Sequence, residues 1–156
     1  MGSSSSIPVK WARAMGKGAK AATEYTFTAR GHPNILATHP TTLMFTRDTE
    51  CTTRGDCIVG VSADFELVKI KRFLKEKSGR GETACTLTMS CPSGEETISG
   101  MLNSLFDDPG EIVFRVTSYL SKRTLFINCT KSSSGLSRRF AEGLRDPKQR
   151  IRIRMS

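Results

Sequence analysis

Both histidines of this chain, His32 and His39, fall inside the stretch Gly31-His32-Pro33-Asn34-Ile35-Leu36-Ala37-Thr38-His39-Pro40-Thr41-Thr42. Neutral imidazole is a common metal ligand and the usual general base near neutral pH. Each histidine precedes a proline, whose ring pushes the residue before it toward extended backbone, so both are expected on stiff, non-helical segments. A second polar cluster, Thr52-Thr53-Arg54-Gly55-Asp56-Cys57, is followed by Ser62-Ala63-Asp64 and adds two carboxylates and an arginine. His32, His39, Asp56 and Asp64 are therefore the residue types for a divalent-metal or acid–base site, with Asn34, Thr41, Thr42 and Arg54 as neighbouring binding groups. The seven-residue step from His32 to His39 matches no standard ligand motif and specifies no metal or cofactor. A competing reading has His32 and Asn34 capping a turn while Asp56 holds the Arg54-Gly55 loop through Asx-type hydrogen bonds.

A different chemistry is offered by Arg150-Ile151-Arg152-Ile153-Arg154-Met155 at the C-terminus. The strict alternation predicts a strand with Ile151, Ile153 and Met155 inward and three arginines outward, about 7 Å apart, close to the repeat of phosphates along a nucleic-acid backbone. Arg138 and Arg139, with Arg145 and Lys148, extend the basic region. The chain carries 24 basic against 15 acidic residues, net +9, a field that favours RNA or another polyanion, anionic lipid or an acidic protein. Against this, a terminal edge strand loaded with charge is a normal device against aggregation, and aromatics for base stacking are scarce nearby.

Residues 1–22 read as an extension outside the fold: they contain no acid, the run Ser3 to Ser6, and Lys10, Arg13, Lys17 and Lys20. Gly2 and Ser6 fit the N-myristoylation pattern, and the basic residues would supply the second, electrostatic signal that firm membrane attachment needs. The same segment, with Ile7, Trp11, Met15 and Gly18 as a stripe, also fits a mitochondrial presequence or a plain tail. No run approaches a membrane-spanning length, and the N-terminus lacks the apolar core of a secretory signal, so a soluble cytoplasmic protein is expected, with membrane attachment through Gly2 or mitochondrial import as alternatives. Five cysteines without a C-x-x-C pair argue against a zinc ribbon and a disulfide framework; most read as small buried hydrophobes.

Residues 23–156 form one expected domain. Tyr25, Phe27 and Ala29 alternate on a first strand, Leu43 and Phe45 mark a second, and Cys57 to Val61 a third. A helix is expected from an N-cap at Asp64 to about Lys77 on the spacing of Leu67, Ile70 and Leu74. Strands follow over 83–91, 96–102, 111–117 and 124–129, then a second helix over 136–145 and the terminal strand. Short strands without regular β-α-β alternation give a mainly β fold with two helices, either an antiparallel β-sandwich or a partly open barrel.

The stretches Gly31-His-Pro-Asn-Ile-Leu-Ala-Thr-His-Pro-Thr-Thr42 and Thr53-Arg-Gly-Asp-Cys-Ile-Val-Gly-Val-Ser-Ala-Asp64 together resemble the mostly archaeal domain-of-unknown-function family 371, here as a eukaryotic-type member with an N-terminal extension. The resemblance covers residues 23–155 and implies a small β-rich domain whose shared polar residues are His32, Asn34, His39, Thr41, Thr42, Arg54, Asp56 and Asp64. It also implies a glutamate two residues after the paired threonines, where this chain has Met44. The family name carries no activity. Three readings follow: a binding module for an anionic partner, RNA foremost; a metal-dependent or acid–base enzyme built on the loop cluster; and a domain recruited to membrane by its tail.

Overall fold

A computed structural model describes residues 23–156. Gly2 and the basic residues of the tail lie outside the described residues. Eight strands run in chain order as β1 (Tyr25–Arg30), β2 (Thr42–Thr46), β3 (Ile58–Gly60), β4 (Ala84–Cys91), β5 (Gly94–Leu102), β6 (Glu111–Arg115), β7 (Thr124–Ile127) and β8 (Arg150–Met155). Helix α1 (Leu67–Gly79) follows β3, and α2 (Arg138–Gly143) precedes β8. All eight strands join one mixed sheet in the order β1-β8-β4-β5-β7-β6-β2-β3. The mainly β fold with two helices is as expected, although the β2–β3 and β6–β7 pairs are parallel. The sheet curls without closing as a barrel: its two edges meet at one bridge, where Arg30 and Val61 exchange backbone hydrogen bonds of 2.7 and 2.8 Å.

Alternation along β1, β4 and β8 sets one face of each on the core, while β2 and β3 are buried throughout. Phe27, Phe45, Phe114 and Phe126 come from β1, β2, β6 and β7, and Phe65 precedes α1; all five are buried. Their rings form an edge-to-face chain with centroid distances of 5.6 Å for Phe27–Phe65 and Phe27–Phe45, 6.1 Å for Phe45–Phe114 and 4.9 Å for Phe114–Phe126. That geometry sets the positive ring edge against the negative face of its neighbour. α1 adds Ile70, Phe73 and Leu74 to the same core from one face, as the i, i+3, i+4 spacing requires.

Three local expectations are corrected. Asp64 does not cap α1: the residue before the helix is Glu66, whose N–H donates to the Tyr25 hydroxyl at 3.0 Å. The Asp64 carboxylate instead accepts from the Thr28 N–H at 2.7 Å and the Thr28 hydroxyl at 2.8 Å, fastening the outer edge of β1. α2 is shorter than its apolar spacing implied, because Leu136 is extended at the end of a single 3₁₀ turn and Ser137, accepting from the Phe140 N–H at 3.2 Å, starts the helix. The terminal strand is no edge: β8 lies between β1 and β4 and pairs with both. An aggregation guard on an unpaired edge therefore cannot account for its arginines.

Two contacts seat the segment before β8. Gly31 lets β1 end against the turn after α2: its N–H donates to the Gln149 carbonyl, and a Cβ there would run into the carbonyl oxygens of Leu144 and Asp146. Glu96, buried at the inner side of β5, accepts from the Lys131 ammonium at 2.8 Å and from the Ser137 N–H at 2.9 Å. Burial pushes the Glu96 carboxyl up, but these hydrogen bonds and the lysine charge outweigh it and hold the group below the usual glutamate value. A lowered folded-state value gives stability that is complete above the ordinary glutamate pKa and lost as pH falls through the folded-state one. Glu96→Gln is expected to destabilise the protein by about 1–3 kcal/mol in urea unfolding at neutral pH, and to make its stability fall less steeply under acid. An acid profile identical to that of the parent protein would remove Glu96 as a cause of that fall.

Candidate functional site

The loop cluster is built on one repeated device. In His32-Pro33-Asn34 and in His39-Pro40-Thr41 the proline offers no N–H, so the first donor the preceding imidazole can reach is that of the second residue on. His32 Nδ1 accepts from the Asn34 N–H at 3.0 Å; His39 Nδ1 accepts from the N–H groups of Thr41 and Thr42, both at 3.1 Å. Each ring thus caps a turn as an Asx side chain does, and with Nδ1 accepting, the proton of the neutral ring belongs on Nε2. His32 Nε2 stands 3.0 Å from Glu50 Oε1, and Asn34 Nδ2 donates to the Cys51 carbonyl at 2.9 Å. The turn-capping reading of His32 and Asn34 therefore describes their contacts.

Asp56 works through its backbone. Its carbonyl accepts from the N–H groups of Thr38 at 3.0 Å and His39 at 3.3 Å and from the buried Ser133 hydroxyl at 3.3 Å. The Arg54-Gly55 turn is closed by backbone bonds, Gly55 N–H to Thr52 carbonyl and Ile58 N–H to Gly55 carbonyl, both 3.0 Å, and not by the Asp56 carboxylate. Asp64 sits on Thr28 of β1. Of the four residues singled out for metal or acid–base chemistry, His39 and Asp56 meet through backbone groups and share Ser133, while the side chains of the four bond no common partner, and among the described residues no three His, Cys, Asp or Glu side chains are grouped to hold a metal ion. Met44 is almost fully buried on β2 between Val113 of β6 and Ile58 of β3. All five cysteines are free thiols; burial pushes Cys85 and Cys129 up to about 12, which leaves them as unreactive core groups.

The convex face of the sheet presents a different arrangement. Arg150, Arg152 and Arg154 are exposed while Ile151, Ile153 and Met155 are buried, as the alternation required. Register places Arg154 between Thr26 of β1 and Thr88 of β4, Arg152 between Thr28 and Ser90, and Arg150 directly opposite Arg30. Successive arginines on β8 are separated by about 6.6–6.8 Å and neighbouring strands by about 4.8 Å. None of these four arginines makes a side-chain hydrogen bond or ion pair with a described residue. The face continues onto β5, where Thr97 lies opposite Thr88 and Glu95 opposite Ser90. A polar hollow of about 300 Å³ opens here, lined by Glu24, Thr26, Thr88, Ser90, Glu95, Arg152 and Arg154.

Arg30 is the member of this face that sequence reasoning missed. The signal was present, since Tyr25, Phe27 and Ala29 inward put Thr26, Thr28 and Arg30 outward, but the partner strand lies at the far end of the chain. Arg139 is exposed on α2. Arg138 is committed to the fold: its guanidinium donates to the carbonyls of Leu136 at 3.0 Å, Ala37 at 3.1 Å, Ser133 at 3.2 Å and Ser134 at 3.4 Å.

Like charges placed directly across a strand pair oppose folding. Arg30→Thr is therefore expected to stabilise the free protein by about 0.2–1 kcal/mol at low ionic strength, with the gain shrinking as salt screens the pair. Thermal unfolding at two salt concentrations checks this; a variant less stable than its parent at low salt would show that the two guanidinium groups do not repel.

No helix among the described residues is long and apolar enough to cross a membrane. Compared with known proteins, the chain is 32% identical over 130 residues to an uncharacterized protein of Methanocaldococcus jannaschii, a match that covers 82% of this chain and 96% of that one. The core strands from Phe27 onward, both histidine turns and the arginine strand lie within residues 27–156, which match the domain of unknown function DUF371, and the chain belongs to that family.

Proposed function

We propose that the convex face of β1, β8 and β4 binds an anionic polymer, and that RNA is the partner its chemistry suits. The observation that carries this is the register of Arg30 against Arg150, continued by Arg152 and Arg154 without a carboxylate bonded to any of them. Two unit charges about 6 Å apart in water repel by about 0.7 kcal/mol. Four guanidinium groups held in this pattern, three on the interior strand β8 and one on β1, cost the free protein stability, and a row of phosphates reverses the sign of that term. The guanidinium fork matches phosphate geometry, and the flanking threonine and serine hydroxyls add hydrogen bonds to phosphate and sugar oxygens.

A membrane surface suits this face less well. Interfacial binding draws on apolar side chains that enter the acyl boundary, and the exposed large hydrophobic residues among those described, Val68, Met101, Leu105, Tyr119 and Leu120, all lie off β1, β8 and β4. The absence of aromatic side chains among the outward residues of these three strands points to recognition of the backbone, with little reading of base sequence.

Charge reversal at Arg150, Arg152 and Arg154 together is expected to abolish RNA binding while leaving the circular dichroism spectrum intact, because the inward residues of β8 are untouched. Single alanine substitutions at Arg30, Arg150, Arg152 or Arg154 should each lower the slope of log K against log salt by about 1. Affinity retained by the triple reversal would end this proposal.

A further inference from the structure

We infer that the hollow between β1, β8 and β4 reads the ribose of the bound strand, so that the face selects RNA over DNA. This rests on the polyanion-binding reading above and goes beyond it in naming the sugar as the feature recognised.

The argument starts from two carboxylates in the wrong place. Glu24 and Glu95 line the hollow together with Arg152 and Arg154. Neither carboxylate is joined to a basic side chain by an ion pair or hydrogen bond among the described residues. A surface evolved only to attract phosphates is weakened by carboxylates beside its arginines, since they repel the same ligand. An ionised carboxylate accepts hydrogen bonds and donates none. A phosphodiester offers it no donor, and neither does deoxyribose. The ribose 2′-hydroxyl does, and it is the group by which a protein distinguishes RNA from DNA at a given site.

The size and lining of the hollow agree with this assignment. About 300 Å³ is at the lower end of ligand sites, room for one sugar-phosphate unit. No aromatic side chain lines it, so a base entering it gains no stacking. Arg152 and Arg154 supply the cations for the phosphate, Glu24 and Glu95 the acceptors for the sugar hydroxyl. Thr26, Thr88 and Ser90 carry hydroxyls that both donate and accept, which lets one strand be held without a fixed base identity.

Fluorescence anisotropy with the full chain and three oligonucleotides of one sequence, as RNA, DNA and 2′-O-methyl RNA, tests the inference. The methylated strand keeps the sugar pucker of RNA and lacks the donor. RNA is expected to bind about tenfold or more tightly than either of the others, the effect of one charge-assisted hydrogen bond. The double variant Glu24→Ala with Glu95→Ala, which removes both acceptors, should bring the three affinities together, chiefly by strengthening DNA and the methylated strand. Equal affinity of the parent protein for RNA and 2′-O-methyl RNA would overturn ribose reading while leaving polyanion binding in place. A gap that survives in the double variant would overturn the assignment to these carboxylates. Failure to bind any of the three would overturn the polyanion reading itself.

Discussion

The pairing of the first described strand with the last is the constraint from which the rest of the structure follows. β1 and β8 are in register over their full lengths, from Tyr25 opposite Met155 to Arg30 opposite Arg150. Bringing together segments so far apart in sequence costs about 4 kcal/mol in the length-dependent part of loop closure alone. Phe27, Ile151, Ile153 and Met155, all buried by this pairing and the sheet it completes, return about 1.5–3 kcal/mol each, which offsets that closure term. The pairing makes β8 an interior strand, lets the sheet curl until Arg30 meets Val61, and brings the arginine row beside the threonines of β1. Contacts of such high sequence separation also place this domain among slow-folding topologies.

The same pairing explains why the polar loops are so thoroughly bonded. β1 ends at Arg30, and the chain must turn at once to reach β2 on the other side of the sheet. The two His-Pro turns make that passage, and Ser133 and Arg138 fasten it from the opposite end of the sequence through the carbonyls of Ala37, His39 and Asp56. Buried backbone groups must find partners, and here imidazole, hydroxyl and guanidinium groups supply them. Residue types that suggest catalysis are used to satisfy an irregular segment packed against a core. The eleven-residue stretch from Gly31 to Thr41 is where the chain leaves the regular ladder, which is why polar residues concentrate there.

Period-two alternation made β1, β4 and β8 legible because each has one face on the core and one on solvent. β8 could be placed to the residue, since arginine and aliphatic residues alternate without exception. α1 was legible from Leu67, Ile70 and Leu74, but its start was not: Asp64 has the chemistry of a cap, and only the neighbouring Thr28, thirty-six residues away, decides that its carboxylate goes elsewhere. Lys77 and Glu96 were passed over because their burial depends on Glu82 and Lys131, partners that sequence spacing does not reveal. The opposition of Arg30 and Arg150 was hidden for the same reason. Local pattern gives the face a residue occupies, whereas the identity of the residue across from it belongs to topology.

These two kinds of polar residue differ in how tightly they are bound to the fold. In the loop cluster the side chains of His32, His39, Asn34 and Arg138 each bond backbone groups, so changing one releases a donor or acceptor that the fold needs, and loss of structure and loss of function would look alike. On the convex face the division of labour is by side: Ile151, Ile153 and Met155 hold β8 in place, and the side chains of the arginines between them bond nothing in the described chain. Selection for stability alone would disfavour like charges at Arg30 and Arg150, and a strand buried on one side needs no charge on the other beyond solubility. On the reading proposed above, a partner that presents repeated negative charge would offset that cost.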